Sequence, residues 1–537
     1  MAYERTLQSM TWADAGQMAP ELILVAMMAL LIIVDLLLPR RVDRSLIGWL
    51  SLASLIGSFV SVVLRIQEQA DQSRGDIALG LLNDNYRIDD FGAMFKLLLL
   101  TAAALIVLWS LGSMKRGAEL AHQGEYYYLL LPATAGAMLM TSTGDLITLY
   151  TGLELLSIST YVLVGLRTKR EVSVQAGSTD EKVSAKPAEA AFKYVVTGGI
   201  SSAFILFGMS YLYGLTGSTH VGEIGSLLPE AVDSFRGLIY IAFFFMIAGF
   251  GIKIAAAPFH AWVPDVYEGA PTPVSAFLAV ISKAAAAAAL FRLFYNLVFP
   301  ESLSNGSTIG HDLFRAVLAV AACAMLVGTL SALRQHNMKR LLALSGVANA
   351  GYLIVPIGLS FYGAHSNNAA ELFFYAAAYL FMNIGVFAVL SIVAGARRNS
   401  DSDDSVQLRI FEGLYHRAPW TAGAMIIFVL SLAGLPISGG FFGKLFIMMG
   451  AASTHAYWLV AVMAGSSVIS YYVYFGIVRQ MFMRSSGDAP VHVPAATGTV
   501  VWLCAAATLV LGVYPNGLLQ WFEHVFSVVN DLLILRH

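Results

Sequence analysis

Three lysines stand where a lysine is costly. Lys253 lies well into "IYIAFFFMIAGFGIKIAAAPF", Lys283 midway along "VSAFLAVISKAAAAAALF", and Lys444 inside "SLAGLPISGGFFGKLFIMMG". A charge at such a depth in an apolar run costs at least about 2.5–3.5 kcal/mol, so it normally faces a partner or a water-filled cavity and marks function. One acid matches them. Glu154 is central in "GDLITLYTGLELLSISTYVLVG", flanked by Thr148, Thr151, Ser157, Ser159 and Thr160, which are expected to hydrate it or hydrogen-bond to it. Burial disfavours the charged form of an acid and of an amine alike, and bringing the two together restores it. Amines and a carboxylate joined by water and hydroxyls can therefore pass protons. The chemistry this set suggests is proton transfer without redox chemistry of its own.

Other charges have plainer expectations. Lys96, near the start of its apolar run, and Arg292 and Arg315, near the ends of theirs, are expected to snorkel to the interface. Asp145 is expected to be interfacial, and Asp35, beside "LLLPRR", to form a salt bridge. Glu189 and Lys193 are spaced i, i+4 with the acid first, the favourable order for a helix-start pair. Their position after Pro187 fits that structural role and a functional one equally. "SGGFFGKL" imitates a phosphate loop, but G-x-x-x-x-G-K-[ST] needs Gly at 438 and Ser or Thr at 445, where Ser438 and Leu445 stand. "GFGIKI" lacks the third glycine of a dinucleotide site.

The elements that must hold these residues are membrane spans. Of 537 residues, 58% are hydrophobic and 12% charged, about half the charge of a soluble domain. The apolar runs approach the length a spanning helix needs and do not alternate as barrel strands would. Fourteen spans are expected: 20–38, 45–64, 91–112, 126–142, 143–166, 188–214, 237–259, 271–298, 312–333, 341–361, 369–395, 418–451, 456–478 and 497–518. Alternate loops then hold 19 Lys and Arg against six on the other side. By the positive-inside rule both termini lie on the outer side. The N-terminus lacks a signal peptide's short apolar core, so its first run reads as a retained helix. The longest loops, 65–90, 167–187 and 396–417, are too short for a core of their own, so residues 1–537 form one membrane domain. A net charge of −2 gives no reason to expect nucleic acid, and lone Cys323 and Cys504 make a cluster or zinc site improbable.

Two spans look broken. The seventh meets Pro258 after Lys253, then "HAWVPD" with His260; the twelfth breaks at Gly434–Pro436 before Lys444. Broken helices mark transport sites in inverted-repeat transporters. The breaks are five spans apart, so two such units would insert in opposite orientations. The lysine precedes the proline in one and follows it in the other.

"FHAWVPDVYEGAPTPVSAFLAVISK" (259–283), "LAGLPISGGFFGK" (432–444), "LYTGLELLSISTYVLVG" and "KRLLALSGVANAGYL" strongly resemble the antiporter-like membrane subunits of respiratory complex I. "PDVYEGAPTPVSAF" resembles the N-type among them. The tail is too short for the lateral helix of the L-type, and the M-type usually has a glutamate where Lys444 stands. The resemblance covers nearly the whole chain. It implies an all-α polytopic protein of about fourteen helices. Helices 1–3 would occupy 1–125, two inverted five-helix repeats 126–298 and 312–478, and a last helix with short tail 497–537. Helices 7 and 12 would be broken. It implies proton-transfer roles for Glu154, Lys193, Lys253, Lys283 and Lys444. His260, Tyr352, Tyr375 and Tyr379 are candidate relay groups. One departure is Asn349, where family members often carry histidine; asparagine cannot carry a proton, so a relay there would use water, Tyr352, or Tyr375, Tyr379 and Asn383.

The implied function is proton translocation in the membrane arm of complex I, a translocase driven by quinone reduction. The subunit would hold no cofactor, with quinone, flavin and iron–sulfur clusters in partners. Expected neighbours are M-type, K-type and J-type subunits in the inner or plasma membrane. Alternatives are a homologous subunit of a multisubunit cation/proton antiporter or membrane-bound hydrogenase, a stand-alone secondary transporter, or a scaffold with inert lysines.

Overall fold

The computed structural model describes residues 12–526 except 40–41, 72–78, 83, 115–121, 167–185, 299–307, 360–366, 397–406 and 484–490. The expected linker 167–187 lies almost wholly outside the described residues.

The long helices, labelled in chain order, are α1 (Ala19–Leu37), α2 (Ser45–Asp71), α3 (Asp90–Met114), α4 (Gln123–Thr141), α5 (Leu146–Val164), α6 (Lys186–Thr216) and α7 (Val221–Ile254). They continue as α8 (Thr272–Val298), α9 (Thr308–Ala332), α10 (Met338–Leu359), α11 (Asn368–Ala396), α12 (Pro419–Ala433 and Gly439–Ser453), α13 (Tyr457–Phe482) and α14 (Ala495–Val513). Twelve of them are long and apolar enough to cross a membrane, among the described residues. The other two are α4, whose first turns are polar, and α12, which is split. The chain is thus the all-α polytopic protein the sequence predicts. Helix α7 extends further back than the expected span; a kink at Phe235 (φ −130°) separates Val221–Ser234 from the apolar part.

α8, α10 and α11 form the centre. Every residue of Lys283–Val298 is buried, as is nearly every residue of α10 and α11. α11 touches α3, α10, α12 and α14. α1, α6 and α13 lie outside and expose Ile33, Leu36, Phe192, Phe207, Val468 and Tyr472. Helices apolar on every face belong in lipid or a core, and this arrangement uses both.

The two breaks have local causes. α7 ends where Ala255 turns left-handed (φ 64°); Pro258, lacking an N–H, follows, and the short helix Val263–Gly269 precedes α8. In α12, Gly434 adopts φ 88°, and Leu435 N–H returns to the Leu430 carbonyl, a Schellman closure that glycine permits. Ile437 (φ 82°) then redirects the chain into Gly439–Ser453. α8 is itself irregular, with a π-turn at Leu278–Ser282 immediately before Lys283; such turns often occur at functional sites.

Two sequence expectations are corrected here. Lys96 does not snorkel. It is fully buried, with its ammonium 2.8 Å from Glu21 of α1 and donating to Tyr86 Oη at 2.5 Å. Tyr86 reaches it from the hairpin β1 (Leu79–Leu81) and β2 (Tyr86–Ile88), which covers these helix ends. Arg292 is buried as well, binding Asp89 through both Nη atoms at 2.5 and 2.7 Å. Arg315 is exposed, as expected, and Asp35 pairs with Arg44 at 2.8 Å. Asp145 caps the start of α5, with its side chain buried and accepting from the Ile147 and Thr148 amides.

Candidate proton-transfer site

The three lysines are all buried: Lys253 is 8% exposed, Lys283 1% and Lys444 4%. Lys253 occupies the last turn of α7 and donates to Ser157 Oγ of α5 at 2.6 Å. Glu154 is one turn before Ser157 on α5 and half-buried, within electrostatic reach of Lys253. The hydroxyls expected to serve Glu154 turn elsewhere. Thr151, Ser157, Ser159 and Thr160 each donate to the carbonyl four residues back, and Glu154 Oε1 has no hydrogen bond among the described residues. Helical Ser and Thr commonly back-bond in this way.

Lys283 donates to the Gly346 carbonyl of α10 at 2.6 Å. A methyl group on Gly346 would lie 2.7 Å from that ammonium and 3.2 Å from Tyr379 Oη of α11, so the bare backbone lets both polar groups in. Lys444 donates to the Leu432 carbonyl at 2.7 Å and sits 5.0 Å over the Tyr352 ring. This resolves the mismatch between the two breaks. Lys253 precedes its break and stands in the last turn of the first half-helix, whereas Lys444 follows its break, on the second half-helix, and returns only its ammonium to the last turn of the first. Free carbonyls there favour a cation.

The expected relay tyrosines lie between Lys283 and Lys444. The rings of Tyr379 and Tyr375 are 6.4 Å apart and those of Tyr375 and Tyr352 5.9 Å. Tyr375 donates to Asn349 Oδ1 at 2.6 Å; Asn349 Nδ2 donates to the Ser345 carbonyl at 2.9 Å and Oγ at 3.3 Å. Ser345 shares a hydrogen bond with Tyr474 of α13. Asn349 is thus a node between hydroxyls, not a carrier. Tyr352 Oη is bonded to Met463 O and Ser467 of α13, so it presents its ring to Lys444. Asn383 Nδ2 donates back along its own helix, to the Tyr379 carbonyl at 2.9 Å.

Lys193 and His260 have other surroundings. Lys193 pairs with Glu189 and Asp265, both at 2.7 Å, and is 40% exposed. His260 lies half-buried in the segment after the α7 break. Sequence reasoning missed Ser345, Tyr474 and Asp265. Nothing in their local sequence marks the first two; Asp265 lies within "PDVYEG", read only as a signature.

Comparison with known proteins decides the family. The family described as NADH:quinone oxidoreductase/Mrp antiporter, TM, matches residues 143–470, a stretch that holds Glu154, Lys253, Lys283 and Lys444. NADH-quinone oxidoreductase subunit N of Paenibacillus sp. (strain JDR-2) is 55% identical over 98% of this chain and 99% of its own length. The chain belongs to the NADH-quinone oxidoreductase subunit N family. Among solved structures, a chain of respiratory complex I from Thermus thermophilus with bound aureothin superposes with a TM-score of 0.73 at 29% identity, covering 93% of this chain and 98% of that one. A chain of the Mrp complex from Dietzia sp. DQ12-45-1b has the same fold (TM-score 0.78, 17% identity, 97% and 98% covered). Subunit N relatives and this chain therefore match end to end, and the buried lysines fall within the shared region.

Proposed function

We propose that this chain is a proton-translocating, antiporter-like subunit of the membrane arm of respiratory complex I, and so part of a NADH:quinone oxidoreductase. The observation that carries the reading is the buried row itself. Lys253 sits at the end of one broken helix, Lys444 reaches back across the break of another and Lys283 follows a π-turn, in a member of the subunit N family. Glu154, Lys253, Lys283 and Lys444 are the proton carriers, and Tyr352, Tyr375 and Tyr379 line the path between the last two. Lys193 and His260 act beside the row. The chain crosses the plasma membrane fourteen times with both termini outside, in two inverted repeats over 126–298 and 312–478. It has no redox centre. Quinone, flavin and iron–sulfur clusters belong to partners, and M-type, K-type and J-type subunits are its neighbours.

A multisubunit cation/proton antiporter is the second reading, favoured by the shared Mrp fold. Deleting the gene discriminates. NADH-driven acidification of inverted membrane vesicles is expected to disappear and to return on complementation. Acidification that survives deletion, or sodium–proton exchange by the purified single chain in liposomes, would sink the complex I assignment.

A further inference from the structure

The segment between Lys253 and Lys283 carries an acid that the proton row does not use. Residues 255–271 lead from the end of α7 to the start of α8, and their short helix Val263–Gly269 presents Asp265. Its two oxygens have different partners. Oδ2 accepts from Lys193 Nζ of α6 at 2.7 Å, and Oδ1 accepts from Arg340 Nη1 of α10, also at 2.7 Å. α6 lies in the first half of the chain and α10 in the second. Further contacts strengthen both attachments: Arg340 also reaches Glu268 at 2.8 Å, Lys339 donates to the Ala270 carbonyl at 2.7 Å, just before α8, and Lys186 of α6 pairs with Glu268 at 3.5 Å.

A carboxylate can hold one cation on each oxygen. Bound to one half alone, the connector would follow that half. Bound to both, it registers any shift between them, and it is also the segment that sets Lys253 relative to Lys283. Exposed ion pairs contribute little stability singly, and these groups are about a third exposed, so their value lies in geometry. Burial alone would raise the Asp265 carboxyl, but the hydrogen bonds from Lys193 and Arg340 hold it below its ordinary value. The acid therefore stays charged at neutral pH.

We infer that Asp265 is a positioning residue, a clamp that ties the connector to both halves of the chain and so couples the Lys253 site to the Lys283 site. This rests on the proton-translocating reading above.

The test uses the whole complex in inverted membrane vesicles, with NADH-driven acidification normalised to the amount of this chain on immunoblots. Asp265→Asn, Lys193→Gln and Arg340→Gln are each expected to lower it about fivefold, within the range of coupling changes from such sites. The Lys193→Gln/Arg340→Gln double variant is expected to be no worse than the poorer single, because a clamp missing one jaw is already open. Asp265→Glu is expected to regain at least half of the native rate. Native acidification in Asp265→Asn, or losses that multiply in the double variant, would overturn the clamp. Should Asp265→Asn fail to accumulate, the double-variant comparison decides alone. Lys253→Ala runs in parallel. If it abolishes acidification while Asp265→Asn is native, only the clamp falls; if both are native, the proton-transfer reading falls too.

Discussion

Lys253→Ala is expected to cut NADH-driven proton translocation at least tenfold, a floor beneath the roughly 10²–10⁴-fold that a positioned proton-transfer group contributes. Three features make this side chain hard to replace. Its ammonium is the one brought to α5, through Ser157, one turn from Glu154. It closes the last turn of a helix whose continuation is broken, so no neighbouring residue can slide into its place. It also stands 5.8 Å over the Tyr161 ring, a cation–π contact that alanine removes. Lys253→Arg should retain a cation but not a group that readily gives up its proton; partial assembly with poor translocation is the expected result. The measurement is acidification of inverted vesicles by a pH-sensitive dye, set against the amount of assembled complex. An alanine variant that translocates at the native rate would remove Lys253 from the row.

The second large effect is on stability and lies outside the row. Lys96→Met is expected to destabilise the chain by about 3–5 kcal/mol, because it strands the Glu21 carboxylate in a dry site. Lys96 is fully buried and Glu21 nearly so; Tyr86 Oη, bonded to Glu21 at 2.8 Å, and the buried Arg65 beside Tyr86 would be left around the carboxylate. The pair need not stabilise the fold in itself; a hydrophobic pair of similar size is often equivalent. Glu21→Leu combined with Lys96→Met should therefore recover most of the loss. Chain abundance in membranes and survival on heating in detergent would report both. If the single variant were as stable as the native chain, the buried pair would be marginal. If the double were as poor as the single, Lys96 would have a role beyond pairing.

These two sites differ in how well the sequence announced them. The lysines of the row stand mid-run among alanines and glycines, and depth alone marks them. The breaks were legible because Gly434 and Pro436 do what glycine and proline do anywhere: one tolerates a left-handed turn, the other cannot continue a helix. Lys96 and Arg292 were misread for an equally physical reason. Each lies near a helix end, where snorkelling is the normal outcome, and the acids that claim them are remote. Asp89 is 203 residues from Arg292, and the covering hairpin comes from the segment between α2 and α3, too short to read as a span. Glu154's neighbours misled because a hydroxyl in a helix can satisfy itself on its own backbone. That Lys444, placed after its break, returns its ammonium to the Leu432 carbonyl before the break could be read only from the folded chain. Periodicity and charge thus revealed the spans and the deep charges; pairings across hundreds of residues could be read only from the fold.

The row's central member gives the most direct test. Lys283 is the lysine between the two halves, docked from α8 onto α10. The purified complex, reconstituted into liposomes, allows protons translocated and electrons delivered to quinone to be recorded together. With Lys283→Ala, proton translocation is expected to fall about tenfold or more, through a lower ratio of protons to electrons or through a block of both. A native rate at the native ratio would contradict it.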